Sequence, residues 1–318
     1  MITKTKAPEG ELWTIQAGGN LAEILPEVGG DLIRLNIQGT EVMHKVDSLA
    51  AVKASCTSYG FPILFPPNRI DGGHFTYDGK EYQFDINEAK TGNSLHGFLH
   101  KQPWQIEALE DAEDEVRIRL FYIAEKGWAS YDVYPVTFTA EIFYTLNAEG
   151  LQQEVKITNT SDSALPYGLG WHSAFRITKS SLIRVSVGKR VALNERQLPS
   201  GEILELSEDE QKMRTDGMSP VYAEMDDHFT AKPLDDGFHG AQIIHPDEGV
   251  KVVYTVDPFY RHWMIWNNKQ EGSLVCIEPQ NWRVNAPNLD LPAEESGMAA
   301  IPAGESVSVR ASVKVVPL

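Results

Sequence analysis

The chain has 318 residues, 42% of them hydrophobic, which is enough to bury a large core in one or two domains. Its formal net charge of −17 disfavours nucleic acid and anionic membrane surfaces as partners, because like charges repel. The two cysteines, Cys56 and Cys276, are far apart in sequence and fit two free thiols in a reducing compartment. The sequence shows neither a signal-peptide-like start nor a run of about 20 apolar residues, so we expect a soluble, cytoplasmic protein without a membrane partner.

Period-two alternation of apolar and polar residues dominates the chain and predicts strands. Asp78-Gly79 is a typical turn between two strands of a short hairpin. Helical periodicity is confined to residues 206–213. The predicted strands are, in chain order, 32–37, 75–77, 80–84, 115–120, 136–146 and 307–315.

Many strands separated by turns, without a composition break or an internal repeat, indicate an all-β antiparallel sandwich or barrel. We expect one domain over residues 1–318. The loop-rich segment 196–236 is expected to leave the sandwich rather than to form a second domain.

The segment 60–73 combines an apolar run with three prolines and the pair Asn68-Arg69. Pro66 and Pro67 restrict the backbone, which suits holding Arg69 in a fixed pose. Its guanidinium could then donate paired hydrogen bonds to hydroxyls or to a carboxylate. A surface loop in which Arg69 forms a structural salt bridge is the alternative.

His96 and His100 are four residues apart and could bind a metal ion if they lay on one helix. Gly92, Gly97 and Pro103 argue against a helix there, and no third ligand is nearby. The sequence therefore predicts no metal site, and a structural role for either histidine remains open.

In a strand over residues 165–175, Gly168, Gly170 and His172 would share one face. A face lined by glycine leaves room for a group to approach the backbone closely, and His172 would point into that space. A β-bulge beside a buried histidine explains the pattern equally well.

Glu278 falls on the apolar side of an alternating strand that begins near Leu274 and ends at Pro279. A carboxylate partly removed from water has a raised pKa, which a general base working near neutral pH needs. Pairing of Glu278 with Arg283 is the alternative.

Six sequence elements occur in a fixed order, and the order is more specific than any one of them. They are Asn68-Arg69-Ile70 before Phe75, Asn93-Ser94-Leu95-His96-Gly97, Trp171-His172-Ser173-Ala174-Phe175, Leu198-Pro199-Ser200-Gly201-Glu202, Asp226 with Phe229, and Glu278-Pro279 with Asn285-Ala286-Pro287-Asn288. In identity and chain order they resemble the aldose 1-epimerase (galactose mutarotase-like) family. The resemblance implies a large twisted antiparallel β-sandwich with a sugar cleft across one face.

The same resemblance implies roles for particular residues. His172 would be the general acid and Glu278 the general base, on opposite sides of the sugar. Arg69, His96 and Asp226, with Asn68 beside Arg69, would bind the hydroxyls and the ring-oxygen region. Asp226 is preferred to the adjacent Asp227 because of its spacing from Phe229.

The implied reaction is the interconversion of α and β anomers of a free aldohexose by acid–base ring opening, without a cofactor or metal, in a monomer or homodimer. His96-Gly97 is followed by Phe98-Leu99-His100, which is similar to a branch that includes hexose-6-phosphate epimerases. That alternative needs basic groups around the phosphate, for which Arg69, Lys101, Arg261 and Arg283 are the candidates near the motifs. The acidic net charge favours the free sugar. A non-catalytic carbohydrate-binding protein is the other alternative.

Overall fold

Antiparallel strands are the predominant elements of the computed structural model, which describes residues 1–318. The strands of the first hundred residues are β1 (Ile2–Ala7), β2 (Gly10–Ala17), β3 (Asn20–Leu25), β4 (Asp31–Ile37), β5 (Thr40–Glu41), β6 (Ile63–Leu64), β7 (Arg69–Asp71), β8 (His74–Tyr77), β9 (Lys80–Gln83) and β10 (Asn93–Leu95). The remaining strands are β11 (Gln105–Asp111), β12 (Glu115–Ala124), β13 (Phe138–Asn147), β14 (Gly150–Asn159), β15 (Leu165–Pro166), β16 (Gly170–Trp171), β17 (Ala174–Arg176), β18 (Leu182–Val185), β19 (Val187–Leu193), β20 (Pro199–Leu204), β21 (Asp226–Ala231), β22 (Gly240–His245), β23 (Val250–Val256), β24 (His262–Asn267), β25 (Leu274–Gln280), β26 (Ala300–Ile301) and β27 (Ser306–Pro317).

Helices are few and short. The α-helices are α1 (Leu49–Ala54), α2 (Ala129–Val133), α3 (Glu208–Gln211) and α4 (Ala293–Ser296), and the 3₁₀ turns are Cys56–Ser58, Leu99–Lys101, Lys212–Arg214, Pro246–Glu248 and Ala286–Asn288. No helix in the structure has both the length and the apolar character needed to cross a bilayer. Both cysteines are buried free thiols, as the sequence predicts.

Three sheets form the body of the protein. One has eight strands in the order β11-β12-β13-β14-β27-β23-β22-β18. A second runs β20-β19-β21-β24-β25-β16-β6, with β17 also paired to β25, and β1 to β5 form a third in chain order. The three short ladders are β7-β10, β8-β9 and β15-β26.

The first eight-stranded sheet buries one face, and the other two large sheets cover it. In β13 the side chains of Ile142, Tyr144 and Leu146 are buried, whereas those between them are partly exposed. Tyr254 of β23 packs on the ring of Phe175 from the second sheet. A single cluster of 65 buried apolar residues contains side chains of all three sheets. The predicted all-β sandwich is confirmed.

The predicted strands and the hairpin are confirmed, and α3 with the turn that follows it occupies the predicted helical segment. The expectation for residues 196–236 is wrong at both ends. β20 and β21 lie in this segment and are strands of the second sheet, so the long connection outside this sheet is residues 205–225. Most of β20 is exposed at the edge of the sheet, and an exposed edge strand lacks the alternating apolar face that identifies a strand.

Gly97 is the position in the chain next to the cleft where a side chain would be most damaging. Its φ is +63°, and a Cβ atom there would lie 2.0 Å from the backbone oxygen of Phe65. That oxygen already accepts a hydrogen bond from the backbone N–H of Phe98. We expect Gly97→Ala to lower the free energy of unfolding by at least about 2 kcal/mol, through strain and clash together, as measured by urea denaturation.

Gly79→Ala is the matched control for that substitution. Gly79 also has a positive φ, +73°, but its added Cβ would meet nothing within 4 Å. Gly79→Ala should therefore lower the free energy of unfolding by about 1 kcal/mol, from backbone strain alone. Equal losses in the two variants would show that the close approach to Phe65 does not constrain Gly97.

Candidate active site

A cleft of about 340 Å³ opens over the second sheet. This volume lies at the small end of the range for ligand sites, about 300–1,000 Å³, and suits one small ring. Most of its lining is polar. The lining residues are Thr57, Ser58, Asn68, Arg69, Glu88, Leu95, His96, His172, Asp226, Met264, Trp266 and Glu278.

Strand register brings His172 and Glu278 together from positions more than 100 residues apart. Gly170 pairs with Gln280 and Ala174 pairs with Cys276, so residue 172 lies across from residue 278. The backbone N–H of His172 donates to the carbonyl of Pro62 on the opposite side. The histidine is thus held between two neighbouring backbone segments and is not on a free loop.

The two side chains are in contact and buried. His172 Nε2 lies 3.1 Å from Glu278 Oε1, with side-chain exposures of 9% and 4%. Burial lowers the pKa of His172 to about 4. Burial, with a smaller contribution from nearby Asp226, raises the pKa of Glu278 well above its usual range, although Arg69 opposes the shift.

At neutral pH these shifts favour one titratable proton on the pair, carried mainly by Glu278. Moving that proton to His172 gives a carboxylate and an imidazolium without exchange with solvent. The two forms hold the same number of protons, so the pair behaves as one unit with a shared proton.

Two expectations about this pair are wrong. His172 and Glu278 do not lie on opposite sides of a sugar-sized space, since they touch each other. The glycine face does not open into the cleft either: a Cβ at Gly168 would meet the Trp282 ring at 2.5 Å, and one at Gly170 would meet Pro67 at 3.0 Å. These glycines allow close packing rather than substrate access.

Arg69 lies at the start of β7 and is 8% exposed. Its Nε and Nη2 atoms donate to the two carboxylate oxygens of Glu88, each at 2.9 Å, and Nη2 also donates to Asp226 Oδ2 at 3.2 Å. Nη1 makes no hydrogen bond within the protein. Arg69 therefore lines the cleft and also forms salt bridges, but it is buried at the start of a strand, so the alternative of a surface loop is wrong.

Asp226 and Asp227 point to opposite faces of β21, as adjacent residues of a strand must. Asp226 lines the cleft and contacts Arg69. Asp227 instead pairs with Arg190, and burial raises its pKa to about 6. The choice of Asp226 from sequence spacing agrees with this geometry.

Asn68 and His96 line the cleft beside Arg69. Both have positive φ angles, +59° and +67°, and the His96 backbone N–H donates to the Asn68 carbonyl at 2.9 Å. The His96 ring lies 5.1 Å from that of His172 and 6.4 Å from that of His100. His100 is buried behind His96, and burial lowers its pKa to about 3, so it is neutral at physiological pH.

The asparagine-containing loop after Glu278 secures Arg69. The backbone N–H of Asn285 donates to the Arg69 carbonyl at 2.9 Å, and its side chain accepts from the Asp71 N–H at 3.0 Å. The pairing of Glu278 with Arg283 is not formed, because the contact of Glu278 is His172. This loop follows the strand that carries Glu278 and also holds the strand that carries Arg69, so it connects these two parts of the cleft.

The sequence did not identify Glu88, Trp266, Met264, Thr57 or Ser58 as lining residues. Glu88 lies in an irregular segment outside the motifs, and the two hydroxyl residues lie in a short 3₁₀ turn. Trp266 has its ring 6.3 Å from that of His172. In the sequence Trp266 is indistinguishable from a core residue of a strand, so its place in the cleft lining is evident only from the order of strands in the sheet.

Comparisons with known proteins agree with this fold. A sequence model of the aldose 1-epimerase family matches residues 11–314. The crystal structure of a galactose mutarotase-like protein from Clostridium acetobutylicum is 29% identical and superposes with a TM-score of 0.95, covering 100% of this chain and 99% of that one.

Two relatives extend the comparison. The protein YihR of Escherichia coli K12 is 28% identical over 91% of this chain and 90% of its own length. Human galactose mutarotase is 26% identical over 90% of this chain and 93% of its own. The chain belongs to the aldose 1-epimerase family and has a galactose mutarotase-like fold.

Proposed function

We propose that this protein is an isomerase that interconverts the α and β anomers of a free aldohexose. The observation that carries the proposal is the buried contact between His172 and Glu278 at the base of a cleft sized for one sugar ring. An acid–base pair with a single shared proton is what ring opening and reclosure require.

The contact geometry suits this reaction because the ring oxygen and the C1 hydroxyl of a cyclic aldose are bonded to the same carbon. Glu278 as carboxylate accepts the proton of the C1 hydroxyl. The bond between C1 and the ring oxygen breaks, and the ring oxygen takes a proton from His172. Rotation about the C1–C2 bond and the reverse proton transfers then give the other anomer, with the pair returned to its starting state.

The remaining cleft residues are assigned to sugar binding in this proposal. Arg69 offers two N–H groups on Nη1, and Asp226 keeps Oδ1 free as an acceptor. His96 and Asn68 add polar groups beside them, and Trp266 offers an apolar edge. Such a mixture of donors, acceptors and one aromatic ring suits a polyhydroxylated ring.

The other functions have less support. Of the four cations considered for a phosphate, only Arg69 lines the cleft, and it is already paired with two carboxylates. A purely binding role gives no reason to bury a contacting acid and base. Hydrolysis of a glycosidic bond normally uses two carboxylates flanking that bond, whereas the contact here joins a carboxylate to an imidazole.

The test is the rate of anomer equilibration, followed by polarimetry or by NMR exchange, for a panel of free aldohexoses and hexose 6-phosphates. The proposal expects at least one free sugar to equilibrate well above the buffer rate. If every sugar equilibrates at the buffer rate in the presence of wild-type protein, the chain is not an aldose 1-epimerase.

Arg69→Ala should weaken sugar binding and leave some turnover. A hydrogen bond to a charged group contributes about 1.5–3 kcal/mol, so we expect KM to rise about 10–100-fold. Loss of the guanidinium also leaves Glu88 and Asp226 without their cation, which raises the pKa of Glu278 further. Arg69→Lys is the control, since it restores the charge but not the fork that binds Glu88. An unchanged KM in Arg69→Ala would remove Arg69 from the binding site.

A further inference from the structure

Glu88 has no assigned role, yet it is a carboxylate that lines the cleft. It holds Arg69 through two parallel hydrogen bonds of 2.9 Å, the fork-to-fork arrangement in which a guanidinium is bound most firmly. Its side chain is 22% exposed, so it is shielded from water but in reach of a bound sugar.

Glu88 is itself fixed by its own segment. The Thr91 hydroxyl donates to Glu88 Oε2, and the backbone N–H groups of Thr91 and Gly92 donate to the Glu88 carbonyl at 3.2 and 3.0 Å. Although burial opposes it, hydrogen bonds from Arg69 and Thr91 lower the pKa of Glu88 below its ordinary value. The carboxylate is therefore charged at neutral pH and does not leave Arg69 free.

The cleft carries more negative than positive charge. Arg69 is the only lining residue with a fixed positive charge, and it faces the carboxylates of Glu88 and Asp226, with Glu278 next to them. Burial lowers the pKa values of the lining histidines, His96 and His172, so they add no charge at neutral pH. The cleft is net negative even when Glu278 is protonated.

We propose that Glu88 is a specificity-determining residue that restricts this enzyme to uncharged aldoses. It occupies the Nε–Nη2 edge of the Arg69 guanidinium, which would otherwise bind a carboxylate or phosphate, and Asp226 accepts a further hydrogen bond from Nη2. Only Nη1 is then left to donate to neutral hydroxyls. An anionic sugar, such as a hexuronic acid or a hexose 6-phosphate, would enter a cleft of the same sign of charge. This inference rests on the proposed epimerase function and defines its substrate class.

The experiment compares three substrates that open by the same chemistry: an aldohexose, its uronic acid and its 6-phosphate. For wild type we expect kcat/KM to be at least tenfold lower for each anion than for the neutral sugar. Glu88→Gln should narrow the ratio of neutral to anionic kcat/KM at least tenfold, mainly through a lower KM for the anions. Because the measured quantity is a ratio, a general loss of activity in the variant cancels.

Glu248→Gln is the matched control. Glu248 binds Arg176 through a similar pair of hydrogen bonds, at 2.8 and 2.7 Å, but neither residue lines the cleft. Glu248→Gln removes one carboxylate from an arginine pair outside the cleft, so the ratio of neutral to anionic kcat/KM should stay as in wild type. If Glu88→Gln does not fold, the salt dependence of wild type decides: added salt should lower KM for the anions and leave it unchanged for the neutral sugar.

The outcomes separate the two proposals. Wild type that equilibrates no sugar above the buffer rate refutes the epimerase function, and this inference with it. Wild type that is active but handles the anions as well as the neutral sugar refutes the role of Glu88 alone. If Glu88→Gln folds and its ratio of neutral to anionic kcat/KM is unchanged, the role of Glu88 is likewise refuted.

Discussion

Glu278→Gln is expected to abolish enzymatic epimerisation while leaving the protein folded. The amide keeps the shape of the carboxyl group but cannot accept the proton of the C1 hydroxyl. A well-placed acid or base contributes about 10²–10⁴-fold to a rate, so the variant should equilibrate a freshly dissolved anomer close to the buffer rate. Polarimetry at equal protein concentrations measures this loss directly.

The same substitution should not lower stability. Burial raises the pKa of Glu278 in the folded protein, so its contribution to stability is greatest below its unfolded pKa and is lost as the pH rises through the folded pKa. At neutral pH folding must bind a proton to Glu278, and at higher pH it must bury the carboxylate; glutamine carries neither cost. The thermal midpoint of Glu278→Gln should therefore equal or exceed that of wild type, with the larger difference at higher pH.

Asp31→Asn is the control for a buried carboxyl group outside the cleft. Asp31 is 1% exposed, burial raises its pKa well above its usual range, and it accepts a hydrogen bond from the Phe61 N–H that asparagine can also accept. It should keep wild-type activity. Activity retained in Glu278→Gln, or lost equally in Asp31→Asn, would contradict the assignment of Glu278 as the base.

Much of the fold could be predicted from the sequence because its strands bury one face. In β12 and β13 every second side chain is buried, so the periodicity of the sequence is the periodicity of the sheet. β20 was missed because it is an exposed edge strand. The strand considered over residues 165–175 is instead three short strands, β15, β16 and β17. The pairing of β25 with β16 and β17 joins segments about 100 residues apart, which no local pattern encodes.

The candidate site, like the fold, could be predicted only in part from the sequence. His172, Glu278 and Arg69 stand out in the sequence as polar residues beside apolar patterns, whereas Asp226 came only from the family resemblance. The mutual geometry of these residues could not be predicted, because the contact of His172 with Glu278 depends on the register between distant strands. Glu88 lies in an irregular segment without periodicity, where its charge reads as ordinary solvent exposure until the fold brings Arg69 to it.

His172→Ala is expected to cause a second near-complete loss of activity, about 10²–10⁴-fold, because the ring oxygen then has no proton donor when the ring opens. For wild type, kcat/KM should fall as the pH falls through about 4, where His172 takes up a proton and the pair holds two and has no base. It should also fall on the alkaline side, as Glu278 loses its proton above its raised pKa and the pair has no acid. The pH profile of the residual His172→Ala activity should lack the fall in kcat/KM near pH 4, because that fall comes from protonation of the imidazole.

His245→Ala separates this effect from the removal of any buried imidazole. His245 is 1% exposed and its Nδ1 atom contacts the Ser181 hydroxyl at 3.0 Å, in β22 and away from the cleft. Truncating it should lower stability through a cavity, yet leave the rate and its pH profile as in wild type. If His172→Ala kept a wild-type rate, or if both variants lost activity in proportion to their stability, His172 would be a structural residue and the ring oxygen would take its proton from another group.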